Sequence, residues 1–175
     1  HAHPKVKHYI SECLDKDLLH CYNYAHEFRI RFLKKLIKYT PDYLEKAYLV
    51  SSGTEAVESL LKIVKLYGKQ ANKKPGIVSF KGAYHGRTLG ASFISGDETS
   101  QSWTGYKDPN VYQIDFPFNV ENNDEVKAFF KLSIQELLNK GVDPKKDISG
   151  IILESYLGWS AKFIPRAYVQ EIATF

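Results

Sequence analysis

Residues 77–90 read IVSFKGAYHGRTLG, and this stretch decides the fold. The first four residues predict a short buried strand, and a glycine-rich segment follows the strand directly. In open parallel sheets, ligands bind beyond the carboxyl ends of the strands. The segment after residue 80 is therefore both the end of a predicted strand and a candidate site.

Strands and helices alternate on both sides of this stretch. The other strands are predicted at 46–51, at 111–114 and within 147–154. Apolar periodicity predicts helices at 4–18, 24–39, 55–67 (closed by Gly68), 123–139 and 166–175. This order predicts an α/β fold with a mostly parallel sheet and helices on both faces. We expect an N-terminal helical segment over 1–45 and the sheet domain over 46–175.

The composition is that of an ordinary globular protein. Of the 175 residues, 43% are hydrophobic and 25% are charged, which excludes wholesale disorder. No run approaches the ~18 uncharged apolar residues of a membrane helix. The net charge is only +4, and the basic residues are scattered, whereas nucleic-acid binders concentrate them on one face. We therefore expect neither a membrane nor a nucleic acid as partner.

The sequence has no methionine, begins at His1 and stops at Phe175 inside a predicted helix. We expect it to be an internal piece of a longer protein. Its two cysteines, Cys13 and Cys21, predict buried or partly buried free thiols in a reducing compartment. We expect the cytoplasm, with the mitochondrion as the alternative. Five of six histidines lie in the first 26 residues, but no two have the H-x-x-x-H spacing of a helical metal site, so no metal is expected.

The segment Ser51-Ser52-Gly53-Thr54-Glu55 lies where a helix is predicted to begin. The free amides of a helix start attract anions, Gly53 permits close approach, and a hydroxyl of Ser52 or Thr54 adds a hydrogen bond. The same residues fit a capping box, in which Ser52 and Glu55 only close the helix end. A phosphate site and a plain cap both remain open from the spacing alone.

The glycine spacing of 82–90 is neither that of a dinucleotide-binding loop nor that of a P-loop. Tyr84 and His85 are placed in a loop after a strand, where a planar cofactor would stack. The alternative is a tight loop in which Tyr84 simply packs. Glu154 ends the apolar run IILE, so it must face a polar site or pair with a cation. Trp159 follows in the next loop and is a candidate for the same site.

Four segments together resemble the class III (ω-amino acid type) aminotransferases. The segments are HAHPKV at 1–6, SSGTEAVESLLKI at 51–63, AYHGRTLGA at 83–91 and IILESYLGW at 151–159. They occur in the family's order and extend across nearly the whole chain. The resemblance implies part of the large domain of a fold-type-I enzyme that uses pyridoxal 5′-phosphate.

The resemblance also implies roles for individual residues. The backbone at Gly53 and Thr54, with Ser52 beside them, would hold the cofactor phosphate. Tyr84 would stack on the pyridine ring with His85 next to it, and Glu154 would lie near the ring and the substrate. Family members are homodimers that move an amino group between an amine or ω-amino acid and a 2-oxo acid or aldehyde. The alternatives are an aminomutase, racemase or decarboxylase on the same scaffold, or a non-catalytic remnant that binds a phosphate compound.

Two departures from the family pattern matter. The run after Glu154 is SYLGWSA instead of a proline followed by a Gln-Gly-Glu-Gly-Gly-like sequence, so Trp159 replaces the family's second glutamate. This suggests a bulky apolar wall on the substrate side. The lysine that forms the family's Schiff base, and the aspartate that holds the pyridine nitrogen, belong downstream of this chain. Lys81 and Lys162 do not match that position, so we expect the isolated chain to be inactive.

Overall fold

The computed structural model describes residues 1–22, 24–120 and 122–175, with the side chain of Ser100 left aside. The chain divides into two compact units, His1–Leu49 and Val50–Phe175. Because the two units are separate bodies, each is described by itself.

The first unit contains two helices, α1 (Pro4–Asp15) and α2 (Glu27–Ile37). Each helix begins at a histidine whose Nδ1 accepts a backbone hydrogen bond: His3 from Lys5 and His26 from Arg29. Both helices are shorter than the apolar periodicity predicts. Helix ends are set by capping residues and by the turns that follow, and periodicity does not detect these. Two free, partly buried thiols, Cys13 and Cys21, confirm the predicted state of the cysteines.

The second unit contains the sheet. Its helices are α3 (Gly53–Gln70), α4 (Leu89–Ile94), α5 (Glu98–Gln101), α6 (Asn123–Asn139), α7 (Pro144–Asp147) and α8 (Arg166–Thr174). Its strands are β1 (Gly76–Phe80), β2 (Val111–Ile114), β3 (Ile148–Ile151), β4 (Tyr156–Leu157) and β5 (Lys162–Phe163).

The central sheet has the order β2-β1-β3, and both pairings are parallel. Ile77 lies beside Val111 in the first pairing, and Val78 lies beside Ile151 in the second. Strands β4 and β5 form a separate antiparallel pair. The predicted α/β class with a mostly parallel sheet is confirmed.

Two clusters of buried side chains cover the two faces of the sheet. Val78 and Phe80 of β1 point into the larger cluster, together with residues of β2, α6 and α8. Ile77 points to the opposite face, where it joins Leu61 of α3 and Ile94 of α4. Successive residues of a strand face opposite sides, so this β1 is buried on both faces by helices, as predicted.

The predicted strand at 46–51 is wrong. Residues 46–49 are exposed, and the segment joins no sheet in the described part of the chain. An apolar run becomes a strand only where a neighbouring strand supplies hydrogen-bond partners, and this run has none there.

The predicted end of α3 at Gly68 is also wrong, because the helix continues to Gln70. A Cβ on Gly68 would lie 2.2 Å from the Ser149 Oγ, so this glycine permits close packing of α3 on β3. Leu60 and Tyr67 of α3 are exposed. Leu61 is buried, and Val57 and Val64 are partly buried.

Candidate functional site

Helix α3 begins with the predicted capping box. The Ser52 Oγ accepts a hydrogen bond of 3.2 Å from the Glu55 amide, and the Glu55 carboxylate accepts one of 2.7 Å from the Ser51 amide. The carboxylate therefore reaches one residue further back than the N-cap. The cap is real, and it occupies the Glu55 amide rather than the first amides of the helix.

The amides of Gly53 and Thr54 are the first two of α3. Within the described residues neither has a capping side chain, and the i→i−4 pattern of a helix gives such groups no partner. A Cβ on Gly53 would meet no atom within 4 Å, so the space in front of the helix start is open. These two amides lie at the positive end of an 18-residue helix, which is a favourable place for an anion.

The loop between β1 and α4 presents Tyr84 and buries His85. The Tyr84 side chain is 52% exposed, so it does not pack inside a tight loop as the alternative interpretation required. Its amide donates a hydrogen bond of 2.7 Å to the Glu154 Oε1, and the His85 amide donates one of 3.0 Å to the Ser95 Oγ. Two side chains from distant positions therefore fix the backbone that carries Tyr84 and His85.

The imidazole of His85 is only 8% exposed, and its Nε2 has no hydrogen-bond partner among the described residues. Burial lowers the pKa of His85 below its usual value, while the negative charge of Glu154 acts in the opposite direction. The ring therefore favours the neutral form and keeps an unused polar atom.

The loop lies directly on the start of α3. Gly86 has a positive φ of 136°, and a Cβ there would lie 2.6 Å from the Oγ1 of Thr54 and 2.8 Å from its Cγ2. A side chain at 86 would thus push the two segments apart. Sequence reasoning placed Thr54 and the Tyr84 loop in one site, and the structure brings them into contact.

A cavity of about 720 Å³ opens beside this loop. Its wall is formed by Gly82, Ala83, Tyr84, Gly96, Asp97, Glu98, Glu154, Gly158 and Trp159. The volume is in the range of small-molecule sites. Tyr84, Glu154 and Trp159 therefore share one cavity, whereas Ser52, Gly53, Thr54 and His85 lie outside its wall.

Trp159 is held in place as one side of this cavity. Its indole Nε1 donates a hydrogen bond of 2.5 Å to the Gly82 carbonyl, and its ring meets that of Phe118 at a centroid distance of 6.1 Å. Gly82 has a φ of 77°, and a Cβ there would approach the Trp159 ring at 3.0 Å. The turn at Gly82 and the indole therefore fit each other closely.

Three contributors to the site were missed by sequence reasoning. Asp97 and Glu98 line the cavity, but they come from a short helix that has no periodicity to detect. Glu58 contacts the loop from α3. It lies four residues after Thr54, and that spacing on one helix face was an available signal.

A second cavity of about 250 Å³ lies among α6, α8 and β3. Its wall is largely apolar core, with Phe80, Phe130 and Tyr168 among its residues. The larger cavity combines aromatic rings with a carboxylate that is bonded to the loop, so the candidate site belongs there.

The whole chain, residues 1–175, matches the family described as Aminotransferase class-III. The chain belongs to the class III aminotransferases. Enzymes of this family use pyridoxal 5′-phosphate. The family and the fold expected from the four motifs are thus confirmed.

Two curated relatives and one solved structure illustrate the similarity. The chain is 30% identical over 168 residues, or 94% of its length, to the 5-aminovalerate aminotransferase DavT of Pseudomonas putida, and covers 38% of that protein. It is 32% identical over 146 residues, or 82% of its length, to an alanine/serine racemase of Pyrococcus horikoshii, and covers 29% of it. The taurine:2-oxoglutarate aminotransferase of Bifidobacterium kashiwanohense, solved with pyridoxal phosphate and glutamate, superposes with a TM-score of 0.81 at 22% identity. That superposition covers 99% of this chain and 40% of the solved one.

The residues of this class III chain fit the family's cofactor. A phosphate dianion suits the two uncapped amides at Gly53 and Thr54, where the space is open. A cationic pyridine ring suits the exposed face of Tyr84 and the Glu154 carboxylate on the same cavity. The described part of the cavity wall contains no lysine, and Lys81 instead binds Asp115 at 2.8 Å.

Neither a metal-ligand cluster nor a membrane-spanning helix is found among the described residues. They contain no group of three or more metal-ligating side chains that would hold an ion. None of their helices is long and apolar enough to cross a membrane.

Proposed function

We propose that this chain forms the phosphate-binding and ring-covering part of a transaminase that uses pyridoxal 5′-phosphate. The reaction is the transfer of an amino group between an amine or ω-amino acid and a 2-oxo acid or aldehyde. The contact of Gly86 with Thr54 carries the proposal, because it sets the loop of Tyr84 on the helix start that suits a phosphate.

Each candidate residue has a distinct part in this proposal. The amides of Gly53 and Thr54 donate to the phosphate, and the Ser52 hydroxyl, which already accepts from Glu55, remains free to donate. Tyr84 covers one face of the ring. The buried His85 supports the loop, and its unpartnered Nε2 would be available to the cofactor.

The substrate side is formed by Glu154 and Trp159. When bound, the cofactor supplies the electron sink for removing a proton from the carbon that bears the amino group. Glu154 orients the ring through its charge and fixes the Tyr84 amide. The indole of Trp159, bonded to the Gly82 carbonyl, excludes water and gives the substrate a flat apolar wall. We infer that this wall favours an amine without a carboxylate on that side.

The remaining chemistry requires residues that this chain does not place in its cavity. A transaminase needs a reactive lysine amine, so we expect the 175-residue chain alone to be inactive. The chain spans 38% of the length of its DavT relative. We propose that the complete enzyme is a cytoplasmic homodimer acting on small-molecule amines and oxo acids.

A racemase is the second candidate, because one of the relatives is named as an alanine/serine racemase. The two reactions differ in what they consume. A transaminase needs an oxo acid to accept the amino group, whereas a racemase inverts a single amino acid without one. Assays of an enzyme containing this chain and the reactive lysine, with and without 2-oxo acid, distinguish them.

The cofactor site is tested by binding of pyridoxamine 5′-phosphate, which has no aldehyde to react with surface lysines. In a Trp103→Phe chain, Trp159 in the cavity wall is the one remaining tryptophan, so its fluorescence reports ligand binding. We expect saturable quenching, and about tenfold weaker binding or more in Gly53→Asp, because its carboxylate repels the phosphate. A side chain at 53 meets no atom within 4 Å, so this variant should fold.

Gly53→Ala is the matched control, since it fills the same open space without charge and should bind within about twofold of the parent. Pyridoxamine without its phosphate should bind much more weakly to the parent and be insensitive to Gly53→Asp. Absence of saturable quenching in the parent, or equal binding by Gly53→Asp, would contradict the proposed site.

A further inference from the structure

Glu58 joins α3 to the loop that carries Tyr84. Its Oε1 accepts a hydrogen bond from the Thr88 Oγ1 and another, of 3.1 Å, from the Ala91 amide. Thr88 and Ala91 are 30 and 33 residues away in sequence, so these are tertiary contacts. Glu58 follows Thr54 by four residues and therefore lies one turn above it on the same face of α3.

Glu58 also does the work of a missing helix cap. Thr88 is the N-cap residue of α4, yet its side chain makes no capping bond to that helix. Its hydroxyl is directed to Glu58, and Glu58 takes the amide of Ala91, the third residue of α4. An N-cap side chain ordinarily satisfies an amide at this position. A carboxylate at a helix start is also electrostatically favourable, so Glu58 is a strong substitute.

The loop packs closely on α3. A Cβ on Gly90 would lie 2.5 Å from the Glu58 Oε2, as one on Gly86 would lie 2.6 Å from the Thr54 Oγ1. One turn further along α3, Leu61 shares a buried cluster with Ile94 of α4. The loop and α4 therefore lie along a single stripe of α3, spaced i, i+4 and i+7 from Thr54.

We propose that Glu58 is a positioning residue, which holds the Tyr84 loop on α3 and so fixes the distance between the helix start and the tyrosine ring. The role in cofactor binding rests on the proposed function, whereas the docking of the loop does not. Without Glu58, the helix start keeps its free amides, but the Tyr84 ring is no longer held at a fixed distance from them. A ligand that contacts both the helix start and Tyr84 should then lose more affinity than a ligand that contacts only the helix start.

Two measurements on the full chain test this role. Hydrogen exchange of the amides in residues 83–92 should be about tenfold faster in Glu58→Ala, because two charge-assisted bonds are lost. Pyridoxamine 5′-phosphate should bind about tenfold more weakly, whereas inorganic phosphate, which occupies only the helix start, should bind within about twofold of the parent. A general loss of structure would weaken both ligands alike.

Three further variants keep the result interpretable. Glu58→Gln retains an oxygen acceptor and should recover most of the protection, and Thr88→Val, which removes one donor, should show a smaller effect than Glu58→Ala. Lys62→Ala, an exposed position one turn further along α3, should change nothing.

Unchanged exchange over 83–92 in both Glu58→Ala and Thr88→Val would overturn the proposal. So would equal weakening of the two ligands by Glu58→Ala. If the parent binds no pyridoxamine 5′-phosphate but exchange still rises in the variants, the proposed function fails and the docking role of Glu58 stands.

Discussion

The two units of the chain carry similar helix signals and make very different use of them. In His1–Leu49, α1 and α2 are amphipathic and capped by His3 and His26, yet no described residue of either helix is buried. In Val50–Phe175, the helices close on both faces of a parallel sheet. Local patterns fix where a helix forms, whereas burial depends on partners far away in the sequence.

The difference extends to the candidate site. Three side chains that hold the Tyr84 loop come from other elements: Glu154 after β3, Ser95 at the end of α4 and Glu58 in α3. The first unit has no comparable long-range network among its described residues. A site that needs fixed distances between groups is therefore placed in the unit whose core is formed by long-range contacts.

The largest expected effect compares one phenylalanine from each unit. Phe80 in β1 is 1% exposed and touches the rings of Phe116 and Tyr168, whereas Phe32 in α2 is 52% exposed. We expect Phe80→Ala to lower the free energy of unfolding by about 3–5 kcal/mol, because it leaves a cavity in the core. Phe32→Ala should cost less than about 1 kcal/mol. Urea unfolding followed by near-ultraviolet circular dichroism measures both.

If Phe80→Ala and Phe32→Ala lower the free energy of unfolding by similar amounts, the contrast between the two units is wrong. An equally large loss in Phe32→Ala would show that the first unit has a tightly packed interior of its own. The control is Phe163→Ala, since Phe163 lies in the second unit but is 74% exposed, and should also have a small effect.

The next effect concerns the contact between Gly86 and Thr54. Gly86→Ala should destabilise the second unit by about 3 kcal/mol, since it adds a clash to a backbone that side chains avoid. Gly105→Ala is the matched control: Gly105 has a φ of 74°, but a Cβ there meets no atom within 4 Å. It should cost about 1 kcal/mol from strain alone. Thermal unfolding of both variants measures their difference, which combines the clash at Gly86 with the greater strain of a side chain at a φ of 136°.

A second comparison within this pair tests the site. Replacing Thr54 by alanine in the Gly86→Ala chain removes the two nearest atoms, 2.6 and 2.8 Å from the added Cβ, and should recover part of the loss. No recovery would mean that the loop does not lie against Thr54 as described.

The elements with tertiary partners were the ones that their sequences predicted well. The strand at 111–114 and the helix at 123–139 have the predicted bounds, because their apolar residues face a sheet or a helix that completes the pattern. The segment 46–51 has the same apolar character but no neighbouring strand among the described residues, and residues 46–49 are exposed. Periodicity shows which side chains of a segment could be buried. Whether they are buried depends on the tertiary fold, which supplies the element that packs against them.

The site shows the same limit. The four motifs pointed to Thr54, Tyr84, Glu154 and Trp159, and the structure places these residues around one loop and cavity. The bond from the Tyr84 amide to Glu154 spans 70 residues, and no local pattern predicts such a contact. Glu58 was missed for a related reason, since an acidic residue on a helix usually reads as a solvated one.

The smallest expected effect is a pH dependence confined to the second unit. Burial lowers the pKa of His85 in the folded chain, so the unfolded chain binds a proton first as the pH falls. The contribution of this residue is therefore complete above its unfolded pKa of about 6.5 and declines as the pH falls from there towards the lower folded value. Unfolding free energies of the parent and His85→Gln, measured across that interval, should converge at the acidic end. A parent curve with no additional slope relative to His85→Gln would mean that the imidazole is not held neutral by its surroundings. His20→Gln, at an exposed position of the first unit, should follow the parent throughout.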